Sequence, residues 1–186
     1  MEQISRQVGM LKPVAHKVIG ATNGNHENRA YKESGIDIMR FVCRELHIED
    51  RYAPEGILIF LRFGQKKRDR HRDRKSLQWY SIYATHGSGG GRKEGAKAIR
   101  LADMAAIVDA DVYIHSHTHL PMVMKQAFFR ADPANCSVQK VPKLFVNTGA
   151  ALNYGGYGQA QEYKPSSTDT PIIHLTSGEK RATATL

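Results

Sequence analysis

Two apolar segments of this chain end directly in histidine-containing loops. Segment 77–84 runs into Thr85-His86-Gly87, and segment 112–114 runs into His115-Ser116-His117. Both segments are predicted to be strands, with amphipathic helices before and between them and further strands after them. A chain that alternates helices and strands early and is dominated by strands late is typical of an α/β fold built in layers.

The predicted elements follow from the spacing of apolar residues. Helices are predicted over about residues 4–11, 36–46 and 94–108, because apolar residues recur there at every third or fourth position. Segment 22–27 is polar and is predicted to form a turn. Strands are predicted at 17–21, 56–63, 77–84, 112–114, 122–128, 144–146, 172–175 and 182–186.

Length and composition limit the class of protein. The 186 residues correspond to one domain, so residues 1–186 are predicted to form a single domain. Hydrophobic residues make up 41% and charged residues 24%, which excludes a disordered chain, a collagen and a coiled coil. The chain has no apolar run of roughly 18 residues, the length of a membrane span, and residues 1–20 do not form a signal peptide. Cys43 and Cys136 form no disulfide framework, so we expect a cytoplasmic protein without a membrane partner.

Positive charge is concentrated in one segment. The formal net charge is +9, and segment 65–75 carries seven lysines or arginines against two aspartates. The segment lies between two predicted strands, so one interpretation is the solvated tip of a hairpin. The other interpretation is a patch that holds a polyanion through its phosphate groups. Both interpretations stay open at this point.

Four histidines stand where functional sites are usually built. His26, His86, His117 and His119 follow predicted strands, and the carboxyl ends of strands are where α/β folds place their sites. Imidazole and the asparagine side-chain oxygen are good ligands for divalent metals of the first transition row. If the segment after 112–114 is extended, His117 and His119 point to the same face and can both reach one site.

These loops also resemble the motifs of a known family. Gly24-Asn25-His26-Glu27 resembles the GN[HD]E motif of the calcineurin-like metallophosphoesterases. Ala84-Thr85-His86-Gly87 resembles the next motif, and Ser116-His117-Thr118-His119 resembles the GHTH motif, with serine in place of the usual glycine. Phe145-Val146-Asn147-Thr148-Gly149 is similar to the strand and turn that commonly follow. The motifs occur in the family order, and the resemblance covers the chain from about residue 17 to its end.

The resemblance implies a four-layer α/β/β/α sandwich and a phosphoesterase with divalent metal ions (Mn, Fe, Zn or Mg) between the sheets. Asn25, His86 and His117 would ligate the second metal, and His119 would ligate the first. His26 would act at the scissile phosphate as a hydrogen-bond donor or general acid. The implied reaction is hydrolysis of a phosphomonoester or phosphodiester by in-line attack of a metal-bound hydroxide.

Two further residue sets have proposed supporting roles. Glu27 would orient a neighbouring ligand rather than bind a metal itself. The glycine-rich segment 87–91 precedes a predicted helix, so Gly89, Gly90 and Arg92 are candidates for contact with a substrate phosphate. The alternative for this segment is a flexible connector.

The chain departs from the family at its beginning. The D-x-H and G-D-x-x-D/N motifs do not precede Asn25, and no aspartate precedes Asp37. The string Asp69-Arg70-His71 lies in the basic segment and is interpreted as a chance match. We therefore expect the C-terminal portion of the family domain, without its first strands and with an incomplete first metal site. A fragment, a split gene whose separate chain carries the missing motifs, and a degenerate relative all stay open.

Two functions follow from these observations. The first is a metal-dependent phosphoesterase that needs the missing half for activity. The alternative is a non-catalytic basic remnant of such an enzyme that binds nucleic acid, in which case affinity falls steeply with salt. The resemblance does not identify the substrate, because family membership defines the reaction type better than the substrate.

Overall fold

A five-stranded mixed sheet forms the centre of the computed structural model, which describes residues 2–63, 78–89, 91, 93–151, 153–160 and 162–186. The strand order is β1-β2-β3-β5-β4. The central strands β2, β3 and β5 run parallel, and the outer pairs β1–β2 and β4–β5 are antiparallel. The five strands are β1 (Ile57–Phe63), β2 (Gln78–Thr85), β3 (Val112–His115), β4 (Met122–Asp132) and β5 (Ser137–Asn147). A second, antiparallel sheet contains β6 (Ile172–Leu175) and β7 (Ala182–Thr185).

Helices occupy the beginning of the chain and the connection between β2 and β3, and one short helix follows β5. Asp37 starts one of them by accepting a hydrogen bond from the Arg40 backbone N–H, and Gly35 ends the preceding one in the left-handed conformation that favours glycine. None of the helices in the described ranges is long and apolar enough to cross a membrane. The α-helices are α1 (Glu2–Leu11), α2 (Asn25–Ser34), α3 (Ile38–Glu45), α4 (Glu94–Asp103) and α5 (Gly156–Ala160).

The central sheet buries both of its faces. On one face, Leu101 of α4 packs against Tyr113 and Phe145, whose rings stack with their centroids 4.7 Å apart. On the other face, apolar residues of β2, β3 and β5 pack against β6 and β7. The general α/β class predicted from the sequence is therefore confirmed. The buried residues on this second face are Ile82, Val112, Leu144 and Val146.

The first helices have a hydrophobic core of their own. Apolar residues of α1 and α3 pack there with the segment that follows α3. A β-bridge between Ala21 and Tyr52 joins the two stretches of chain that flank α2 and α3. The buried residues of this core are Ala15, Val42, Cys43, Leu46 and Ile48.

The predicted strand at 17–21 is wrong. A 3-10 helix continues from Lys12 to Lys17, and only Ala21 makes a β-bridge. The carbonyl oxygen of Val18 accepts a hydrogen bond from the Arg51 guanidinium instead of from a neighbouring strand. The predicted turn at 22–27 is also wrong in part, because Asn25 begins α2. His26 therefore lies in the first turn of a helix and does not directly follow a strand.

The other predicted elements agree with the structure in kind, and the strand at 172–175 agrees in its bounds as well. The remaining ones differ in length, and α2 and α5 were not predicted as helices. The predicted helix 94–108 ends at Asp103 and continues as a short 3-10 helix to Ala106. The predicted strands 122–128 and 144–146 are parts of a long hairpin, because β4 and β5 pair from Met122–Asn147 to Asp132–Ser137. The basic segment 65–75 lies between two paired strands, as expected, but outside the described residues, so neither interpretation of it is tested.

Two of the phenylalanines on the β4–β5 strand pair give a direct test of this packing. Phe145 is 0% exposed beneath α4, whereas Phe129 is 78% exposed. We expect Phe145→Ala to lower the free energy of unfolding by about 3–5 kcal/mol, because it removes a buried ring and leaves a cavity. Phe129→Ala should change it by no more than about 0.5 kcal/mol. Urea unfolding of both variants measures the difference, and equal effects would contradict this placement of the core.

Candidate functional site

The parallel strands bring three loops to one edge of the sheet. Thr85 pairs with His115 and His115 pairs with Asn147, so β2, β3 and β5 end at the same level. The loops continue to hydrogen-bond beyond the strands, from the Ser116 N–H to the His86 carbonyl and from the Thr148 N–H to the His115 carbonyl. Side chains after each strand therefore face a common region, which is where α/β sheets usually carry their sites.

Three of the sequence-predicted site residues meet within hydrogen-bonding distance. His86 Nε2 lies 3.0 Å from Asn25 Oδ1 and 3.2 Å from His117 Nδ1. The two rings meet edge to face, with centroids 5.1 Å apart. α2 supplies the asparagine, and the loops after β2 and β3 supply the histidines.

The atoms that meet are rich in lone pairs and poor in protons. A neutral imidazole carries one N–H, and an amide oxygen carries none. His86 Nε2 can thus contribute one proton at most to its two neighbours. Two ligands bound to one cation at about 2.1 Å are about 3.0–3.4 Å apart at octahedral or tetrahedral angles. The two observed separations of 3.0 and 3.2 Å match that spacing, so these donors fit a divalent metal ion.

The set carries no negative charge. No group of three or more histidine, cysteine, aspartate or glutamate side chains in the described part of the chain is arranged to hold a metal ion. Here the third donor is the amide oxygen of Asn25, and the other two are neutral imidazoles. A site without a carboxylate binds hard divalent cations less tightly than one that has it, because ligand charge sets much of the affinity.

The surroundings keep both imidazoles neutral. Burial lowers the pKa of His86 below its usual value, and His117 lowers it further, while the carboxylate of Glu27 acts in the opposite direction. Burial also lowers the pKa of His117, and the nearby His119 and His115 lower it further. A hydrogen bond with the Gly89 backbone acts in the opposite direction and raises this pKa. At neutral pH both rings consequently keep the unprotonated nitrogen that metal binding requires.

His119 and His26 lie at the margin of this cluster. The His119 residue is exposed, yet neighbouring groups desolvate its ring enough to lower its pKa, and Lys97 and His26 lower it further. In the part of the chain that the structure describes, the His119 ring makes no hydrogen bond to Asn25, His86 or His117.

The loop after β3 does not meet the condition under which His117 and His119 would share one face of an extended segment. The φ angles of His117 and His119 are 57° and 55°, in the left-handed region, so alternation along a strand does not place them. Such angles are uncommon for residues other than glycine and occur where surrounding contacts impose them.

A buried network that the sequence did not reveal holds the loop in this shape. His115 Nδ1 lies 2.8 Å from Asn147 Oδ1. The Asn147 amide group donates to Thr118 Oγ1, also at 2.8 Å, and to the carbonyl of Leu120. Because the NH₂ of Asn147 donates these two bonds, its oxygen is the atom that faces His115 and accepts a hydrogen bond. His115 therefore carries its proton on Nδ1. Pairing of His115 with Asn147 depends on strand register, which the order of residues does not show.

A cleft lies in front of the cluster. It has a volume of about 540 Å³, and Asn25, His86 and His115 all line it. Gly89 lines a second, smaller cavity of about 120 Å³. Gly90 and Arg92, the other candidates for phosphate contact, lie outside the described residues.

The Glu27 side chain lies back over Gly24, so that a Cβ on that glycine would lie 2.3 Å from Glu27 Oε2.

Comparisons with known proteins give no relative for this chain. No model of a protein family, no curated protein and no solved structure matches it.

Gly87 provides a test of the loop geometry. Its φ is +81°, and an added Cβ would lie 2.0 Å from His115 Nε2. We expect Gly87→Ala to destabilise the protein by at least about 1–3 kcal/mol, because the backbone strain and the collision add. Gly95 in α4 has open space around it, so Gly95→Ala should be neutral or stabilise by up to about 1 kcal/mol. Urea unfolding compares the two, and a neutral Gly87→Ala would contradict the proximity of His115.

Proposed function

We propose that this chain is a divalent-metal-dependent phosphoesterase of the calcineurin-like type. The observation that carries the proposal is the meeting of Asn25 Oδ1, His86 Nε2 and His117 Nδ1 at ligand-like separations. All three belong to the motifs that resemble the family. The stacking of α4, the central sheet and the β6–β7 sheet supports membership of a fold with helices outside and two sheets inside.

In this proposal each residue has a defined task. Asn25, His86 and His117 would hold a divalent ion with neutral donors. The ion would supply a Lewis acid for a phosphoryl oxygen and would make a nearby water more acidic. His26, exposed in the first turn of α2, is free to donate a hydrogen bond to the leaving oxygen. Glu27 acts on His86 through its charge and does not itself bind the ion. The free thiols of Cys43 and Cys136 support a cytoplasmic location.

Metal binding by the purified full chain tests the site. We expect a chelator-treated sample to bind Mn²⁺ or Zn²⁺ in calorimetric titration, and His86→Ala or His117→Ala to weaken binding by about tenfold or more. Asn25→Asp should bind Mn²⁺ more tightly than wild type, because it adds a negative charge to a neutral donor set.

The matched control is His174→Ala. His174 is exposed on β6, away from the site, and should leave the affinity unchanged. Hydrolysis of an aryl phosphodiester and an aryl phosphomonoester in Mn²⁺ then tests the reaction. The proposal is wrong if His86→Ala and His117→Ala bind metal as wild type does, or if any turnover observed is indifferent to both variants.

Nucleic-acid binding is a second candidate function, and one surface favours it. The sheet face on which α4 lies is open over β1 and β2, where Phe60 is 64% and Trp79 is 51% exposed. Arg62 lies over the Trp79 ring, 5.5 Å from its centroid. Exposed aromatic rings beside an arginine are the groups on which unpaired bases stack.

Trp79 is therefore the residue to vary for this candidate. We expect Trp79→Ala to weaken binding of a single-stranded oligonucleotide by about tenfold, since stacking on one aromatic ring contributes about 1–3 kcal/mol per base. Tyr154→Ala, which removes a comparably exposed ring elsewhere, serves as the control. Fluorescence anisotropy at two salt concentrations measures both. Equal affinities of wild type and Trp79→Ala would exclude this surface.

A further inference from the structure

α4 presents two cations to the loop that follows β2. Lys97 and Arg100 are one helical turn apart and so lie on the same side of the helix. The neighbouring side of α4 faces inward, where Leu101 is fully buried against the sheet. Since the sheet fixes the rotation of the helix, it also fixes the direction in which the two cations point.

Both cations line the small cavity beside the site. Its volume is about 120 Å³. A Cβ on Gly89 would lie 3.7 Å from Arg100 Nε, an ordinary van der Waals distance, so the Arg100 side chain lies directly beside this loop. Arg100 also lines the larger cleft that contains Asn25 and His86, and it is thus common to both spaces. The cavity is lined by Gly89, Gly91, Ala96, Lys97, Arg100 and Thr118.

The side chains of this pair form no ion pair with a nearby carboxylate. In the described ranges neither the Lys97 nor the Arg100 side chain makes a hydrogen bond or an ion pair, although, after the hydrogen bond from Lys164, the charge of Lys97 is among the groups that lower the pKa of Glu94. Glu94, one turn before Lys97, is paired with Lys164 at 2.8 Å. Asp103 lines the larger cleft but not the small cavity, and it makes no ion pair with Arg100 in this described part of the chain.

We propose that Lys97 and Arg100 bind the terminal phosphate group of an organic phosphate in this cavity. A guanidinium offers a fork of donors that matches phosphate oxygens, and an ammonium adds a compact charge. Two cations suit a terminal phosphate, whose charge at pH 7 is about −1.5 to −2, better than a diester with a single charge. The claim that this pair binds part of a substrate rests on the proposed phosphoesterase function. The claim that the pair binds a phosphate anion does not depend on that function.

Binding of inorganic phosphate to the full chain in the presence of a chelator tests the site without a metal. We expect saturable binding by ³¹P NMR line broadening or calorimetry, weakened about tenfold in Lys97→Ala and in Arg100→Ala, because each removes charge-assisted hydrogen bonds. Arg100→Lys, which keeps the charge, should weaken it less. Circular dichroism shows whether each variant is folded.

Lys140→Ala is the matched control, because Lys140 is exposed on β5 and lines neither space. Its affinity should equal that of wild type. Phenyl phosphate should compete with inorganic phosphate, and diphenyl phosphate should compete poorly. The proposal is overturned if wild type shows no phosphate binding, if Lys97→Ala and Arg100→Ala bind as wild type does, or if Lys140→Ala loses as much affinity as they do.

The same measurements separate this site from the proposed metal centre. His86→Ala should keep its affinity for inorganic phosphate, because His86 does not line the small cavity. If the metal titration fails while phosphate binding needs Lys97 and Arg100, the anion site stands and the phosphoesterase proposal fails. If metal binds as proposed and phosphate binding does not depend on this pair, the phosphoesterase proposal stands and the anion site fails.

Discussion

The hydrogen bond between the His115 ring and the Asn147 side chain fixes the edge of the sheet on which the candidate site depends. Both side chains are buried. An unpaired buried polar group costs about 1–3 kcal/mol, so the loop after β3 is held where its Thr118 hydroxyl can satisfy the Asn147 amide. In that conformation the backbone at His117 is left-handed. Strand register, loop shape and the direction of the His117 ring are therefore one coupled constraint.

Much of the fold follows from sequence patterns, because the core consists of regular elements with clear apolar periodicity. The pattern failed at segment 17–21, where Val18 and Ile19 favour a strand locally. A strand needs hydrogen-bonding partners on a neighbouring strand along its length. Here the Val18 carbonyl accepts from the Arg51 side chain, the Val18 N–H donates back to the Ala15 carbonyl, and only Ala21 makes a β-bridge. Tertiary packing decides which hydrogen-bonding partner a segment has, and the local sequence pattern carries no information about that packing.

The site was predicted in part for a similar reason. His86 and His117 could be found because each comes soon after a strand, and parallel strands end at one edge. Asn25 could be found from its motif, although it begins a helix. Lys97 and Arg100 could not be found, since two cations on a helix face are typical of an ordinary solvated surface. Only the rotation of α4 against the sheet turns that face toward a cavity.

The exposure of α2, whose residues take no part in the core formed by α1 and α3, has a consequence for how the site assembles. All ten residues of α2 are described, and none of them is buried, so little apolar packing holds this helix in place. Elements with few buried contacts open locally at a lower free energy than the rest of a protein. Asn25 therefore belongs to a part of the chain that detaches more readily than the strands carrying His86 and His117. An ion shared by the three residues would stabilise, by mass action, the arrangement in which Asn25 lies beside His86 and His117. The fraction of sites that hold an ion would then determine how often α2 leaves the sheet edge.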